Sequence, residues 1–266
     1  MFSKVVVSGS KVELYLYNQG IPVGHERQYD VIREVKDSDG TEEGEKRYDN
    51  ILRARQNVRR LIWANMSVYT KLLTLTYADT VLNSDRVHRD LQTFQQAMRR
   101  KGYPLKYLYV LEHQKKRGKK EGNEGCLHVH LVVFVDQYIP FQVINECWKH
   151  GQIDIERIRD INDLGAYVSK YISKEAFAEF GKRVYSCSLG LSRGVEEQFY
   201  TEGLSTSFDG TVHPKDILNA MNVSYHNKIR HDYVDKDGVL RDLIVEYYQG
   251  TWADVELILG KERKKL

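Results

Sequence analysis

The chain has 266 residues, 41% hydrophobic and 29% charged, with a formal net charge of +3. These are the proportions of a soluble globular protein, and no apolar run nears the roughly 20 residues of a membrane-spanning helix. Cys126, Cys147 and Cys187 lie far apart without CxxC spacing, which excludes a disulfide framework or zinc knuckle as the organising device. The N-terminus carries no signal-peptide pattern, so a cytoplasmic location is expected.

From the N-terminus, Val5–Val7 and Val12–Tyr17 flank Ser8-Gly9-Ser10-Lys11 and read as a hairpin. The acidic, glycine-containing stretch from Asp37 to Glu45 reads as a loop and a boundary. Asp49 or Asn50 can cap a helix running to about Met66, with Ile51, Leu52, Val58, Leu61, Ile62 and Met66 as its apolar contacts. Its charge comes from Arg53, Arg55, Arg59 and Arg60, which suit a phosphate backbone or simply a solvated face.

Leu72–Tyr77 is rich in β-formers and predicts a buried strand. Asp85–Lys101 predicts a helix with Val87, Leu91, Phe94 and Met98 at helical spacing, stopped by Gly102 and Pro104. Leu105–Glu112 is the next strand. A lysine-rich, glycine-broken connection from Gln114 to Gly125, containing Lys115 and Lys116, follows it.

Gly125–Val135 predicts a strand with His128 and His130 on alternate positions, so both imidazoles leave one face while Leu127, Val129, Leu131, Val133 and Val135 take the other. That pattern predicts histidines on the side left free for chemistry. Two nitrogen donors on one strand make half a metal site; a pair of structural histidines is the alternative. An antiparallel register placing Glu112 opposite His128 sets Val110 opposite His130 and turns Glu112 toward the histidines. The resulting oxygen and nitrogen donors suit magnesium or manganese and are acceptable to zinc.

Phe141–Lys149 predicts a helix and Gln152–Ile158 a strand. Asp160 or Asn162 can cap a further helix with Leu164, Val168 and Ile172 as its buried stripe. Beside the stripe, Tyr167, Lys170, Tyr171 and Lys174 share a face. A phenol is a poor nucleophile at its usual pKa of about 10 and needs a cation nearby, which lysine and metal would supply. Tyrosines that merely widen the packing face are the alternative.

Leu73-Thr74-Leu75-Thr76-Tyr77, His128-Val129-His130 and Tyr167-Val168-Ser169-Lys170-Tyr171-Ile172-Ser173-Lys174 together resemble the three ordered motifs of rolling-circle replication initiators, the HUH endonucleases. The paired tyrosines, each followed three residues later by lysine, most resemble initiators of small single-stranded-DNA phages and related plasmids. Trp148-Lys149-His150-Gly151 and the stretch from Arg183 to Gly190 resemble that group less specifically.

The resemblance implies an α+β, ferredoxin-like endonuclease domain over residues 50–194 with a central antiparallel sheet. Residues 1–49 would be an N-terminal hairpin extension and 195–266 a C-terminal accessory region. It further implies that Tyr167 or Tyr171 attacks a phosphodiester of single-stranded or origin DNA, assisted by Lys170 and Lys174, with Mg2+ or Mn2+ on His128, His130 and Glu112. Arg53, Arg55, Arg59, Arg60, Lys115 and Lys116 would contact DNA. No GxxxxGK[ST] loop is present, so unwinding would fall to a host helicase and synthesis to a host DNA polymerase, in the host cytoplasm for a phage or plasmid gene. An HUH transposase, a relaxase and a non-catalytic nucleic-acid-binding protein are the alternatives.

Overall fold

A computed structural model describes residues 2–18, 42–113, 126–156, 158, 163–172, 184–200, 214–234 and 239–252. In chain order its first elements are β1 (Phe2–Ser8), β2 (Lys11–Tyr17), α1 (Glu42–Asn65), β3 (Lys71–Leu75), α2 (Ser84–Arg100), β4 (Lys106–His113) and β5 (Leu127–Phe134). There follow α3 (Phe141–Cys147), β6 (Ile153–Glu156), α4 (Leu164–Ser169), β7 (Tyr185–Cys187), β8 (Val195–Tyr200), α5 (Pro214–Ala220), β9 (Met221–Val234) and β10 (Leu240–Trp252). The chain divides into two compact units, residues 37–193 and residues 1–36 with 194–266. Among the described residues no helix is long and apolar enough to cross a membrane.

The 37–193 unit is built on a five-stranded antiparallel sheet of order β6-β3-β5-β4-β7. Its β3-α2-β4-β5-α3-β6 segment forms two interleaved split βαβ units, the ferredoxin-like α+β arrangement expected from the sequence. Helix α2 starts where Asn83 Oδ1 accepts hydrogen bonds from the backbone of Asp85 and Arg86, and it stops at Gly102, whose φ of 88° suits glycine. Its buried stripe is the expected Val87, Leu91, Phe94 and Met98, packed with Leu73, Leu75, Leu111, Val129, Leu131 and Trp148. Each such side chain, fully buried, contributes roughly 1.5–3 kcal/mol.

The opposite face of the sheet buries Leu72, Leu108, Val110, Val132 and Phe134 against Ile51, Val58 and Ile62 of α1 and Leu164 and Val168 of α4. This corrects the expectation that the histidine face stands free. His128 and His130 alternate with Val129 and Leu131 but share their side with Val132 and Phe134, so α1 and α4 cover most of it, and His130 is only 4% exposed. Local periodicity gave the two faces; it could not say that both would be roofed.

Helix α1 begins at Glu42, so residues 42–45, read as loop, are helical, while 37–41 lie outside the described residues. An opening sequence of Glu42-Glu43-Gly44-Glu45 is acidic where the positive end of a helix dipole favours negative charge, which allows the helix to start ahead of Asp49 and Asn50. Helix α3 ends at Cys147 and β6 spans four residues, both shorter than expected. The cap of α4 is Asp163, whose side chain accepts from the Ala166 N–H, in place of Asp160 or Asn162, which lie outside the described residues.

The second unit is a five-stranded sheet of order β8-β1-β2-β10-β9. The predicted hairpin is present, with β1 and β2 joined at Gly9-Ser10 and Gly9 at φ 61°. Val5, Val7, Val12 and Leu14 pack under Ile217 of α5 and Met221. Thus the stretches read as an N-terminal extension and a C-terminal region share one sheet: β1 pairs with β8, and β2 with β10, with the whole 37–193 unit intervening in sequence. Strand alternation announces each strand, but nothing local announces a partner that distant.

Candidate active site

β5 is the central strand of its sheet and buried over nearly its whole length, which makes its histidines anomalous. β4 pairs with β5 in the register expected, Glu112 opposite His128 and Val110 opposite His130. From there the Glu112 carboxylate reaches diagonally and accepts a hydrogen bond from His130 Nε2 at 2.8 Å. On the other side β3 sets Thr74 opposite His130, with Thr74 Oγ1 3.3 Å from Nδ1. A hydroxyl both donates and accepts, so Thr74 can serve either tautomer of the ring.

The helix motif closes over this row. Tyr171 stacks on the His130 imidazole, ring centroids 3.4 Å apart and planes within 8°. Tyr167 meets Tyr171 edge-on at 5.9 Å. The Lys170 ammonium lies over both rings, 3.4 Å from the centroid of Tyr167 and 4.8 Å from that of Tyr171.

Local backbone sets these positions. Regular helix runs only to Ser169, after which the Tyr171 N–H bonds the Val168 carbonyl and the Ile172 N–H that of Ser169, a tightened last turn. Tyr167 therefore projects from helix and Tyr171 from the turn beyond it. The buried stripe is the expected Leu164, Val168 and Ile172.

Burial, then its hydrogen bond and charge interaction with Tyr167, then Glu156 and Glu112, push the Tyr171 phenol well above its ordinary pKa. Burial would also raise Glu112, but the hydrogen bond from His130 and the charges of His130, His128 and Lys170 outweigh it and hold the carboxyl below its usual range. The site thus keeps its carboxylate ionised and its inner phenol neutral.

For a divalent cation, Glu112 and His130 offer an oxygen and a nitrogen at one point, and His128 stands opposite Glu112 in the ladder. This donor chemistry fits a hard to borderline cation. Among the described residues, however, no three His, Cys, Asp or Glu side chains converge closely enough to hold a metal ion, and the convergent pair is Glu112 with His130.

The predicted DNA-binding arginines divide. Arg53 is exposed on α1. Arg55 and Arg59 turn inward: Arg55 Nε donates to the Ile172 carbonyl at 3.0 Å, and Arg59 Nη2 lies 3.6 Å from Asp163 Oδ2. Arg60 is half-buried and engaged within the chain. Lys115, Lys116 and Lys174 lie outside the described residues.

Two features escaped the sequence reading as parts of the site. Thr74 was visible only as a motif letter, although its alternate position on β3 signalled the histidine face. Trp148-Lys149-His150-Gly151 fastens the end of β3: Trp148 Nε1 donates to the Thr76 carbonyl and the Ala78 N–H to that of His150. At Gly151 a Cβ would collide with the Thr76 and Tyr77 backbone, so glycine is required there.

Residues 70–176, less than half of the chain, match a family model for the replication-associated protein ORF2. The match spans β3 to α4, the segment that carries the row just described, and supports a replication-associated role. No curated protein and no solved structure matches.

Proposed function

We propose that this chain is a replication initiator that cuts and rejoins single-stranded DNA at an origin by tyrosine transesterification, starting rolling-circle replication of a phage or plasmid. The observation that carries the reading is the stacking of Tyr171 on His130, with Glu112 bonded to that histidine and Lys170 over both phenols. Three stretches far apart in sequence meet there, within the part of the chain similar to replication-associated proteins.

In the proposed reaction, Tyr167 or Tyr171 loses its proton and the phenolate oxygen attacks the scissile phosphorus. A tyrosine–5′-phosphate ester forms as the bond to the 3′ oxygen breaks, and that oxygen takes up a proton to leave a 3′ hydroxyl for a polymerase. Lys170 favours the phenolate by its charge. A magnesium or manganese ion held by Glu112, His128 and His130 would supply Lewis-acid polarisation of the phosphate. The second phenol repeats the attack on the regenerated origin, and the freed 3′ hydroxyl displaces the first tyrosine to close a circle. Host helicase and DNA polymerase complete the cycle.

The test is incubation with end-labelled single-stranded DNA and Mg2+ or Mn2+, followed by denaturing electrophoresis and peptide mapping. A denaturant-resistant adduct on Tyr167 or Tyr171 is expected. Binding without any adduct would leave a non-catalytic DNA-binding protein and overturn the reading.

A further inference from the structure

α4 has six residues of regular helix, too few to hold their shape in water unaided. Yet on the reading above it must present two phenols to one phosphate. Its apolar stripe fixes it to the core but leaves its rotation and axial position to other contacts. Those come from one stripe of α1, residues 55, 59 and 63, spaced four apart.

At the start of α4, Asp163 Oδ1 accepts from the Ala166 N–H and from Trp63 Nε1, both at 2.9 Å. Asp163 Oδ2 faces Arg59, whose guanidinium lies over the Trp63 ring at 4.8 Å. At the other end, Arg55 grips the carbonyl of Ile172, the residue after Tyr171. The pairings 63 with 163 and 55 with 172 mean that α1 runs antiparallel to α4 and holds both its ends. Between them a Cβ at Gly165 would stand 2.9 Å from Trp63 Nε1 and 3.0 Å from Arg59 Cα, so glycine permits the close approach.

We infer that Trp63 and Arg55 are positioning residues for strand transfer: through Asp163 and the Ile172 carbonyl they set the helix, and with it both phenols, against the His130–Glu112 pair. The inference rests on the tyrosine-transfer reading. It assigns part of the basic helix to aligning the nucleophiles in place of gripping DNA. Trp63 is 5% exposed, so it acts through α4 and touches no substrate.

The experiment compares full-length wild type, Trp63→Phe and Arg55→Lys; the first removes the N–H and keeps the ring, the second keeps the charge and removes the fork. Three readouts are taken: the single-turnover rate of adduct formation, the dissociation constant for the same DNA, and hydrogen exchange of the Tyr167, Tyr171 and Ile172 amides. A misplacement near 1 Å can cost about 100-fold in rate, so a fall of about 10- to 100-fold is expected, with DNA affinity within about two-fold of wild type and faster exchange at those amides. An unchanged rate in both variants overturns the inference while leaving the reading intact. A rate loss that only follows global unfolding, seen as faster exchange throughout α2 as well, makes the contacts structural and also overturns it. If wild type itself forms no adduct, the reading fails and the positioning role falls with it, a result distinct from either of the others.

Discussion

The two faces of the β6-β3-β5-β4-β7 sheet are fed by the same strands, residue by alternate residue, yet they are finished differently. Under α2 and α3 the face is closed by Leu73, Leu75, Leu111, Val129, Leu131 and their apolar neighbours. Under α1 and α4 the packing is equally apolar at Leu72, Leu108, Val132 and Phe134, but it gives way at one end to Thr74, His130, Glu112 and Tyr171. Buried polar groups are tolerated where they satisfy one another, and here they do so through contacts that also arrange charge. The lesson is that one face supplies stability and one corner of the other supplies chemistry, and substitutions can separate the two.

The largest separation is expected at the phenols. Phenylalanine at either Tyr167 or Tyr171 should leave some covalent DNA adduct, and the double substitution none, with circular dichroism and melting close to wild type. Intact-mass analysis decides; one single variant losing all adduct while the other closes circles normally would refute alternation.

Phe94→Ala on the α2 face should do the converse. It should cost about 3–5 kcal/mol of stability in denaturant titration, with adduct formation intact in the fraction that remains folded. An adduct rate lost beyond that fraction would show that the faces are not separable.

Thr74→Val keeps shape and removes the hydroxyl beside His130 Nδ1. Metal affinity should fall about 10- to 100-fold by calorimetric titration, as for other outer-shell partners of histidine ligands. Unaltered affinity would return Thr74 to packing alone.

Tyr77, buried beneath Trp148, tests the closed face by pH. Burial first, then Asp90, raise its phenol far above the ordinary value. Above pH about 10 the unfolded tyrosine loses its proton while the folded one keeps it, so folding stability should decline with rising pH, by up to about 1.4 kcal/mol per unit. Tyr77→Phe should lessen that slope in urea titrations between pH 9 and 11; an unchanged slope would place the coupling elsewhere.

The smallest effect belongs to exposed Arg53. Its replacement by alanine should lower the logarithmic salt slope of single-strand binding by roughly 0.7 if it contacts a phosphate. No change would leave α1 with its alignment role alone.

Much of this molecule was legible in order along the chain. Val87, Leu91, Phe94 and Met98 announced α2, Leu164, Val168 and Ile172 the buried side of α4, and alternation set His128 and His130 on one face, because side-chain periodicity is a local property of backbone geometry. Even the register of Glu112 against His128 followed from treating adjacent strands as antiparallel neighbours. Only tertiary structure decided that Arg55 and Arg59 would face α4 and that Tyr171 would lie flat on His130. It alone decided that strands from opposite ends of the chain would complete one sheet. These depend on which surfaces meet, and a charged helix reads the same from the sequence whether its arginines meet solvent, a phosphate or a neighbouring helix.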